Sequence, residues 1–396
     1  MSKLDELIAE LCPDGVEFVP LKQIAEVGTG SSDRVNAVED GKYPFYVRSK
    51  TIYRSNRYLF DEESIVIPGE GGIGDIFHYV NGKYDLHQRA YRIHFIDRLV
   101  DTKFAYHYLS ANFKKFILMK AVNATVTSIR KPMIQDFPFP LPPLPVQQEI
   151  VRILDKFTEL TTQLTAELKA RKKQYEYYRD WLLSQEELNK LCPDGVSYKR
   201  LGEIGYFYGG LSGKSKHDFA NGNAKFITYM NVYSNLAVDT EISDMVKIGE
   251  NEKQNTVKHG DILFTGSSET LDECGISSVL TKETNEKLYL NSFCFGFRLI
   301  DKDLLLPDFS KYLFRSNEIR KQIIRTASGV TRFNVSREKM EQVIIPVPPL
   351  PVQQKIVRIL DNFTELIAQL ETELEARQKQ YEYYRDKLLS FKEVSS

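Results

Sequence analysis

PPLPVQQEIVRILDKFTELTTQLTAELKARKKQYEYYRD, residues 142–180, returns as PPLPVQQKIVRILDNFTELIAQLETELEARQKQYEYYRD at residues 348–386, with 31 of 39 positions identical at a shift of 206. In the first copy Ile150, Leu154, Phe157, Thr161, Leu164, Leu168, Arg171, Tyr175, Tyr178 and Leu182 fall alternately four and three residues apart. That is the heptad seam of a coiled coil. In the second copy the seam reads Ile356, Leu360, Phe363, Ile367, Leu370, Leu374, Arg377, Tyr381, Tyr384 and Leu388. Each copy predicts one helix of about forty residues, or about 60 Å. Pro145 and Pro351 are expected just outside the helix starts, where a missing N–H costs nothing. Two similar helices in one chain hide their seams most simply against each other, as an antiparallel pair.

A second echo, LCPDGV, stands at 11–16 and again at 191–196, a shift of 180, so the segment between the two signposts is 26 residues longer in the second copy. The segments between the signposts diverge but share a skeleton. Ile65–Ile67 parallels Ile262–Phe264, Arg92-Ile93 parallels Arg298-Leu299, and residues 121–143 lie over 327–349 without a gap. Short apolar runs punctuated by Gly, Asn and Pro predict strands: YPFYV (43–47), SIVIPG (64–69), AYRIHFI (90–96), ILFTG (262–266) and FCFGFRLI (293–300). A helical stretch closes each segment, at 104–122 and 309–327. LDELIAELCPDGV (4–16) also resembles SQEELNKLCPDGV (184–196), the tail of the first long helix. An N-terminal helix packing near the end of the C-terminal one would make the repeat cyclic.

The expected fold class is therefore α+β, with two globular α+β heads separated by two long antiparallel coiled-coil helices in a pseudo-two-fold internal repeat. The expected division is an N-terminal helix (1–15), a first head (16–141), a central helical region (142–190), a second head (191–347) and a C-terminal helical region (348–396). Lys plus Arg number 53 against 54 Asp plus Glu, a net charge of −1, so any argument from charge has to be local. The apolar runs are far shorter than the ~18–20 residues of a transmembrane helix. The first residues, MSKLDELIAEL, carry acids where a secretion signal is apolar. A cytoplasmic chain is expected. Cysteines at 12, 192, 274 and 294 have neither metal-site nor disulfide-frame spacing.

PPLPVQQ-x-IVRILD followed by a long helix, twice, with LCPDGV before each variable segment, resembles the specificity (S) subunit of type I restriction-modification enzymes across essentially the whole chain. The resemblance implies that residues 16–141 and 191–347 are target-recognition domains, each reading one half of a bipartite double-stranded DNA site. It implies that the helices set the spacing and dock two methyltransferase (modification) subunits. S-adenosylmethionine, ATP and Mg are then expected on the methyltransferase and the restriction motor-nuclease subunits, and this chain binds no cofactor, metal or membrane and is no enzyme. Geometry leads to the same mechanism, because a two-fold protein with two reading heads suits half-sites about one turn, ~34 Å, apart on one face of the duplex.

Local charge points to the residues that touch DNA, since phosphate contacts supply much of the affinity. Between Asp40 and Asp61 lie Lys42, Arg48, Lys50, Arg54 and Arg57 with no acid among them, interleaved with Tyr43, Tyr46, Tyr53 and Tyr58. Gln88 and Arg89 are candidate base-edge readers, because Gln suits adenine and Arg guanine. In the second head the corresponding candidates lie in two expected loops, Lys214, Lys216 and His217 in GGLSGKSKH, and Tyr229, Asn231 and Tyr233 in TYMNVYSN. Arg332 and Asn334 complete the set. The bland reading of each such residue is a solvated face.

Catalytic-looking strings fall away on context. Gly69-Glu70-Gly71-Gly72-Ile73-Gly74 fits GxGxxG, but a strand pattern follows where a dinucleotide site needs a helix. YGGLSGKS has its first Gly one position too near GKS for a phosphate loop. No HExxH and no DPPY-like tetrapeptide is present, and the PDG strings at 13–15 and 193–195 read as turns. A stand-alone methyltransferase or nuclease is the enzyme-class alternative, and a coiled-coil scaffold without a DNA role is the structural one. The exposed helix faces, with Tyr175, Tyr177, Tyr178 and Tyr381, Tyr383, Tyr384, are the expected partner surface, shared with the seam.

Overall fold

The computed structural model describes residues 3–120 and 128–394. Residues 121–127, which begin the expected 121–143 correspondence and end the expected helix 104–122, lie outside the described residues, as do residues 1, 2, 395 and 396 at the ends of the two terminal segments. The chain forms two compact units, Met1–Ala166 with Thr372–Ser396, and Glu167–Glu371. The division cuts through both long helices, α4 (Leu144–Leu182) and α11 (Leu350–Leu388). Each unit thus holds one head with part of each helix.

In the first unit a six-stranded sheet runs in the order β2 (Ala25–Thr29), β7 (Ala90–Phe95), β5 (Phe60–Pro68), β6 (His78–Leu86), β3 (Tyr43–Tyr46), β4 (Tyr53–Ser55). β5 is central because its SIVIP run is buried on both faces. Helix α2 (Thr102–Lys120) buries Phe104, Ala105, Leu109, Phe113 and Ile117, one stripe at helical spacing, in a cluster with Ile65, Ile67 and Ile93 of the sheet. Each of the buried Phe, Leu and Ile side chains contributes roughly 1.5–3 kcal/mol. Strand β1 (Phe18–Pro20) pairs with β8 (Pro138–Pro140) beside the short helix α3 (Lys131–Gln135). Helix α1 (Lys3–Leu11) places Leu4 in the same core as Leu389, and Val16 N donates to Lys392 O at 2.8 Å. The N-terminal segment therefore lies on the end of α11. The seam is antiparallel here, with the Phe157 ring stacked on Tyr384 at 5.5 Å and 22°.

In the second unit the main sheet runs β10 (Gly205–Gly209), β17 (Cys294–Leu299), β13 (Ile262–Thr265), β15 (Ser277–Val279). Two small sheets flank it: β12 (Met245–Val246), β11 (Ala224–Ile227), β16 (Tyr289–Leu290), and β14 (Ser267–Ser268), β19 (Phe333–Val335), β18 (Ala327–Gly329). β9 (Ser197–Arg200) pairs with β20 (Ile344–Val347). The short helices are α5 (Gln185–Leu191), α6 (Leu201–Ile204), α7 (Tyr229–Ser234), α8 (Pro307–Leu313), α9 (Asn317–Ile324) and α10 (Arg337–Met340). Ile262, Phe264 and Phe297 form one core with Phe309, Tyr312, Ile356 and Leu360. The seam repeats its stack, Tyr178 on Phe363 at 5.2 Å and 21°, with Lys172 paired to Glu371 at 2.6 Å.

The motif PPLPVQQ has the same structural use in both units. Gln147 is fully buried, donates to Leu99 O and Pro142 O, both at 2.7 Å, and accepts from Asp101 N at 2.8 Å. Gln353, equally buried, donates to Leu304 O at 3.0 Å and Pro348 O at 2.8 Å and accepts from Leu306 N at 2.8 Å. One side-chain amide thus fastens the start of each long helix to the segment leading into its head's closing helix.

Five expectations change. Pro145 and Pro351 lie inside the first turn of their helices, where an N–H has no intrahelical acceptor anyway. The stretch 309–327 is two helices, α8 and α9, because Ser316 turns its hydroxyl back to Leu313 O at 2.7 Å and takes the N-cap position of α9. SQEELNK is a separate helix, α5, restarted by Ser184, whose side chain accepts from Glu187 N. TYMNVYSN is mostly the helix α7, capped by Thr228, whose hydroxyl accepts from Asn231 N at 3.2 Å. Finally, Arg92 does not correspond to Arg298. Ile65 pairs with Ile93 and Ile262 with Phe297, which sets Arg92 over Gly296 and Arg298 over His94. A slip of two residues keeps every side chain on its face, so the apolar pattern could not detect it.

Candidate nucleic-acid interface

The same backbone skeleton builds one cleft in each unit. In the first, Gly69 N donates to Arg89 O at 2.9 Å, His87 N to Tyr46 O at 3.0 Å, and Ile129 N to Gly69 O at 2.7 Å. In the second, Gly266 N donates to Phe293 O at 2.7 Å, Asn291 N to Ile227 O at 2.9 Å, and Val335 N to Gly266 O at 2.9 Å. These bonds bring three loops together at one end of each sheet. They also fix which residues correspond: Arg48 with Tyr229, Glu70 with Ser267, and Arg89 with Phe293.

The first cleft is lined by Arg34, Val47, Arg48, Ser49, Tyr53, Glu70, Gly71 and His87, around about 270 Å³. Arg48 and Arg89 each donate through Nη1 to the same oxygen, Oε2 of Glu70, at 2.8 and 3.1 Å. The Arg89 guanidinium, helped by that of Arg48, holds the Glu70 carboxyl below the usual carboxylate range. Two guanidinium groups on one carboxylate leave the cleft with surplus positive charge and unused donors. His87 lies just behind, almost fully buried, and its Nδ1 accepts from Arg89 N at 3.0 Å. Burial, with Arg48 nearby, pushes its pKa below the usual value, and because Nδ1 accepts from Arg89 N, the neutral ring carries its proton on Nε2. Arg34 donates to the Tyr53 hydroxyl at 3.1 Å and stands over the Tyr53 ring. Gln88 donates to Asp33 at 2.9 Å.

The other basic candidates of the first head divide by what holds them. Arg54 is tied to its own hairpin, donating to Gly41 O at 2.8 Å and Lys42 O at 2.9 Å. Arg57 faces Asp85, a fully buried carboxylate that also accepts from the Ser32 hydroxyl, and so balances an interior charge. Lys42 and Lys50 are exposed, with no ion pair among the described residues.

The second cleft, about 380 Å³, is lined by Tyr229, Met230, Tyr233, Ser267, Ser268, Glu269, Glu273, Phe293 and Arg332. Tyr229 donates to Ser267 O at 3.0 Å, and Tyr233 donates to Glu273 at 2.6 Å. The two tyrosine rings stack at 6.1 Å and 16°. Arg332 donates to the Ser267 hydroxyl at 3.1 Å with its guanidinium over the exposed Phe293 ring. Asn334 lies on β19, paired with Ser267. Asn231 instead closes its own loop, donating to Asp239 O at 2.9 Å and accepting from Asp239 N at 3.0 Å. The Lys214 side chain is only 8% exposed, ion-paired to Glu252 at 2.6 Å, while Lys216 and His217 stand exposed on a short turn of 3-10 helix.

Of the sequence candidates, Arg48, Tyr53 and Arg89 gather at the first cleft and Tyr229, Tyr233 and Arg332 at the second. Sequence reasoning missed Glu70, Arg34 and His87 in one and Ser267, Glu273 and Phe293 in the other. Phe293 was visible only through its correspondence with Arg89, which the two-residue slip concealed. The seam candidates Ile150, Leu154, Ile356, Leu360 and Leu370 are buried, and Phe157, Leu164, Leu168, Tyr175, Tyr178, Phe363, Ile367, Leu374, Tyr381 and Tyr384 are half-buried. Tyr177 and Tyr383 are exposed. Among the described residues no group of His, Cys, Asp and Glu is placed to hold a metal ion, and no helix is long and apolar enough to cross a membrane.

Comparison with known proteins agrees with this architecture. The family model described as type I restriction modification DNA specificity domain matches twice, at residues 13–171 and 193–376. The EcoR124I/EcoR124II specificity subunit of Escherichia coli is 35% identical over 267 residues, which cover 64% of this chain and 63% of that one. A putative type I restriction enzyme specificity subunit of Haemophilus influenzae is 31% identical over 409 residues, covering 95% of this chain and 96% of that one. The fold resembles that of the type I restriction-modification S subunit from M. genitalium, with a TM-score of 0.59 at 17% identity over 94% of this chain and 95% of that one. Two family matches on two units that share one skeleton and differ in their clefts place this chain in the family of type I restriction-modification specificity subunits.

Proposed function

We propose that this chain is the DNA-recognition subunit of a type I restriction-modification complex, with each unit reading one half of a bipartite duplex site. The observation that carries the reading is the pair of corresponding clefts, one backbone skeleton lined by Arg48, Glu70 and Arg89 in one unit and by Tyr229, Ser267 and Phe293 in the other. Different linings on one frame suit two unlike half-sites. The long helices set the spacing between half-sites. They and the N-terminal segment dock two methyltransferase subunits, for which exposed Tyr177 and Tyr383 are suited anchors.

The chain is non-catalytic and cytoplasmic in this reading. S-adenosylmethionine is bound by the methyltransferase subunits, and ATP and Mg by the restriction motor-nuclease subunits. The test is sequence-resolved methylation of genomic DNA in cells carrying this chain with its cognate methyltransferase subunit, against cells with that subunit alone. A new split motif that requires this chain is expected. Identical methylomes with both proteins present and folded would sink the proposal.

A further inference from the structure

We propose that Arg89 reads a guanine in the half-site of the first unit, with Glu70 as its positioning residue and Arg48 as the second ligand of that carboxylate. The inference rests on the DNA-recognition reading above and goes beyond it by assigning one side chain to one base. Arg89 sits on the tight turn between β6 and β7, whose backbone is fixed on three sides. Its N–H donates to His87 Nδ1, its carbonyl accepts from Gly69 N, and Ala90 N next to it donates to His87 O at 3.0 Å. A side chain meant to discriminate bases needs such a fixed origin, whereas a phosphate-binding lysine does not.

The fork itself is only partly engaged. Arg89 gives one Nη1 bond to Glu70, and its Nε and Nη2 have no acceptor among the described residues. The side chain is 57% exposed. Planar donors that are oriented by a carboxylate and otherwise unused match the O6 and N7 acceptors on the major-groove edge of guanine. Arg48 holds the same Glu70 oxygen from the other side at 2.8 Å, so the carboxylate cannot swing without breaking two charge-assisted bonds. In the second unit the three corresponding places hold Tyr229, Ser267 and Phe293. That unit's Arg332 reaches its cleft from a different strand end, so the guanine assignment belongs to the first unit alone.

The test is sequence-resolved methylation by the complex with cognate methyltransferase subunits, comparing the wild-type chain with Arg89→Lys, Arg89→Ala and Glu70→Gln. Arg89→Lys keeps the charge and loses the fork. It is expected to lower discrimination at one G·C pair of one half-site by about 5- to 150-fold, leaving the other bases of that half-site and the whole of the other half-site unchanged. Glu70→Gln is expected to lower discrimination at the same pair by a smaller factor. An unchanged motif with Arg89→Lys overturns the assignment, as does a uniform loss of methylation at all sites with Arg89→Ala that Arg89→Lys restores, because that is the signature of a phosphate contact. A wild-type complex that yields no split motif fails the reading of the whole chain, and the guanine assignment falls with it. A wild-type split motif in which neither Arg89 variant alters a G·C pair fails the assignment alone.

Discussion

The ring of Tyr208 occupies the space that a Cβ on Gly296 would need, 2.2 Å from its Cζ. The two residues are cross-strand partners, and the corresponding pair in the first unit is Gly28 with Arg92. Small and large have changed strands between the two heads, yet the sheet position is filled in both. The Tyr208 hydroxyl donates to the buried Asp261 at 2.6 Å, and Arg298 donates to the same carboxylate at 2.8 and 2.6 Å. The ring is therefore held in place. Gly296→Ala is expected to lower the stability of the second unit by about 1–3 kcal/mol through overpacking. Combined with Tyr208→Ala the same change should cost much less, a non-additivity that urea denaturation reads directly. Equal costs in both backgrounds would contradict the packing account.

Gln147 and Gln353 give a second expectation. Replacing either by Leu keeps the bulk and strands one backbone donor and two backbone acceptors in the interior, in each case around one buried side chain. Each substitution is expected to destabilise its unit by about 2–4 kcal/mol. Glu at the same place loses the two donations and adds a buried charge, so it should cost more than Leu. Denaturation midpoints of the four variants check the order.

The fold was largely legible in the sequence because the two helices announce themselves by a period that only a coiled-coil seam explains. Buried Ile150, Leu154, Ile356 and Leu360 lie where the heptad puts them. The central strands were legible too, since the runs at 65–68 and 262–264 are apolar on both faces. What escaped was register. Period-two alternation is blind to an even slip, so Arg92 and Arg298 matched as letters while the strands matched Arg92 to Gly296. The clefts were half legible for a related reason. A run of basic residues marks Arg48 and Arg57 alike, but only tertiary contacts send Arg57 to the buried Asp85 and Arg48 to an open cleft. Lys214, 8% exposed on Glu252, makes the same point in the second unit.

The ruler role of the helices predicts a separation of effects. Deleting two heptads from α4 and the matching two from α11 removes about 21 Å of helix from each while keeping the seam in phase. Methylome sequencing should then return a motif with an altered spacer and both half-sites unchanged. A changed half-site with an unchanged spacer would reverse the roles given to helices and heads.

Acid should act on the first unit before the second. His87 and His107 are nearly fully buried there, and burial lowers the pKa of both below the usual imidazole value; for His107 this holds against the pull of Asp155, which it meets at 2.9 Å. His78, half-buried with Nε2 3.1 Å from Ser49 O, is lowered for the same reason. The folded state therefore binds these protons less readily than the unfolded chain, whose histidines titrate near 6.5. Stability present above about pH 6.5 is lost as pH falls through that value toward the folded pKa, by up to about 1.4 kcal/mol per pH unit for each group. The second unit holds only His217 and His259, both exposed. It also holds the single tryptophan, Trp181, so fluorescence reports its unfolding while circular dichroism reports both units. Between pH 7 and 5.5 the midpoint seen only by circular dichroism should fall further than the one seen by fluorescence. Replacing His78, His87 and His107 together by Gln should flatten that difference, and if the slope survives in the triple variant, these imidazoles are not its source.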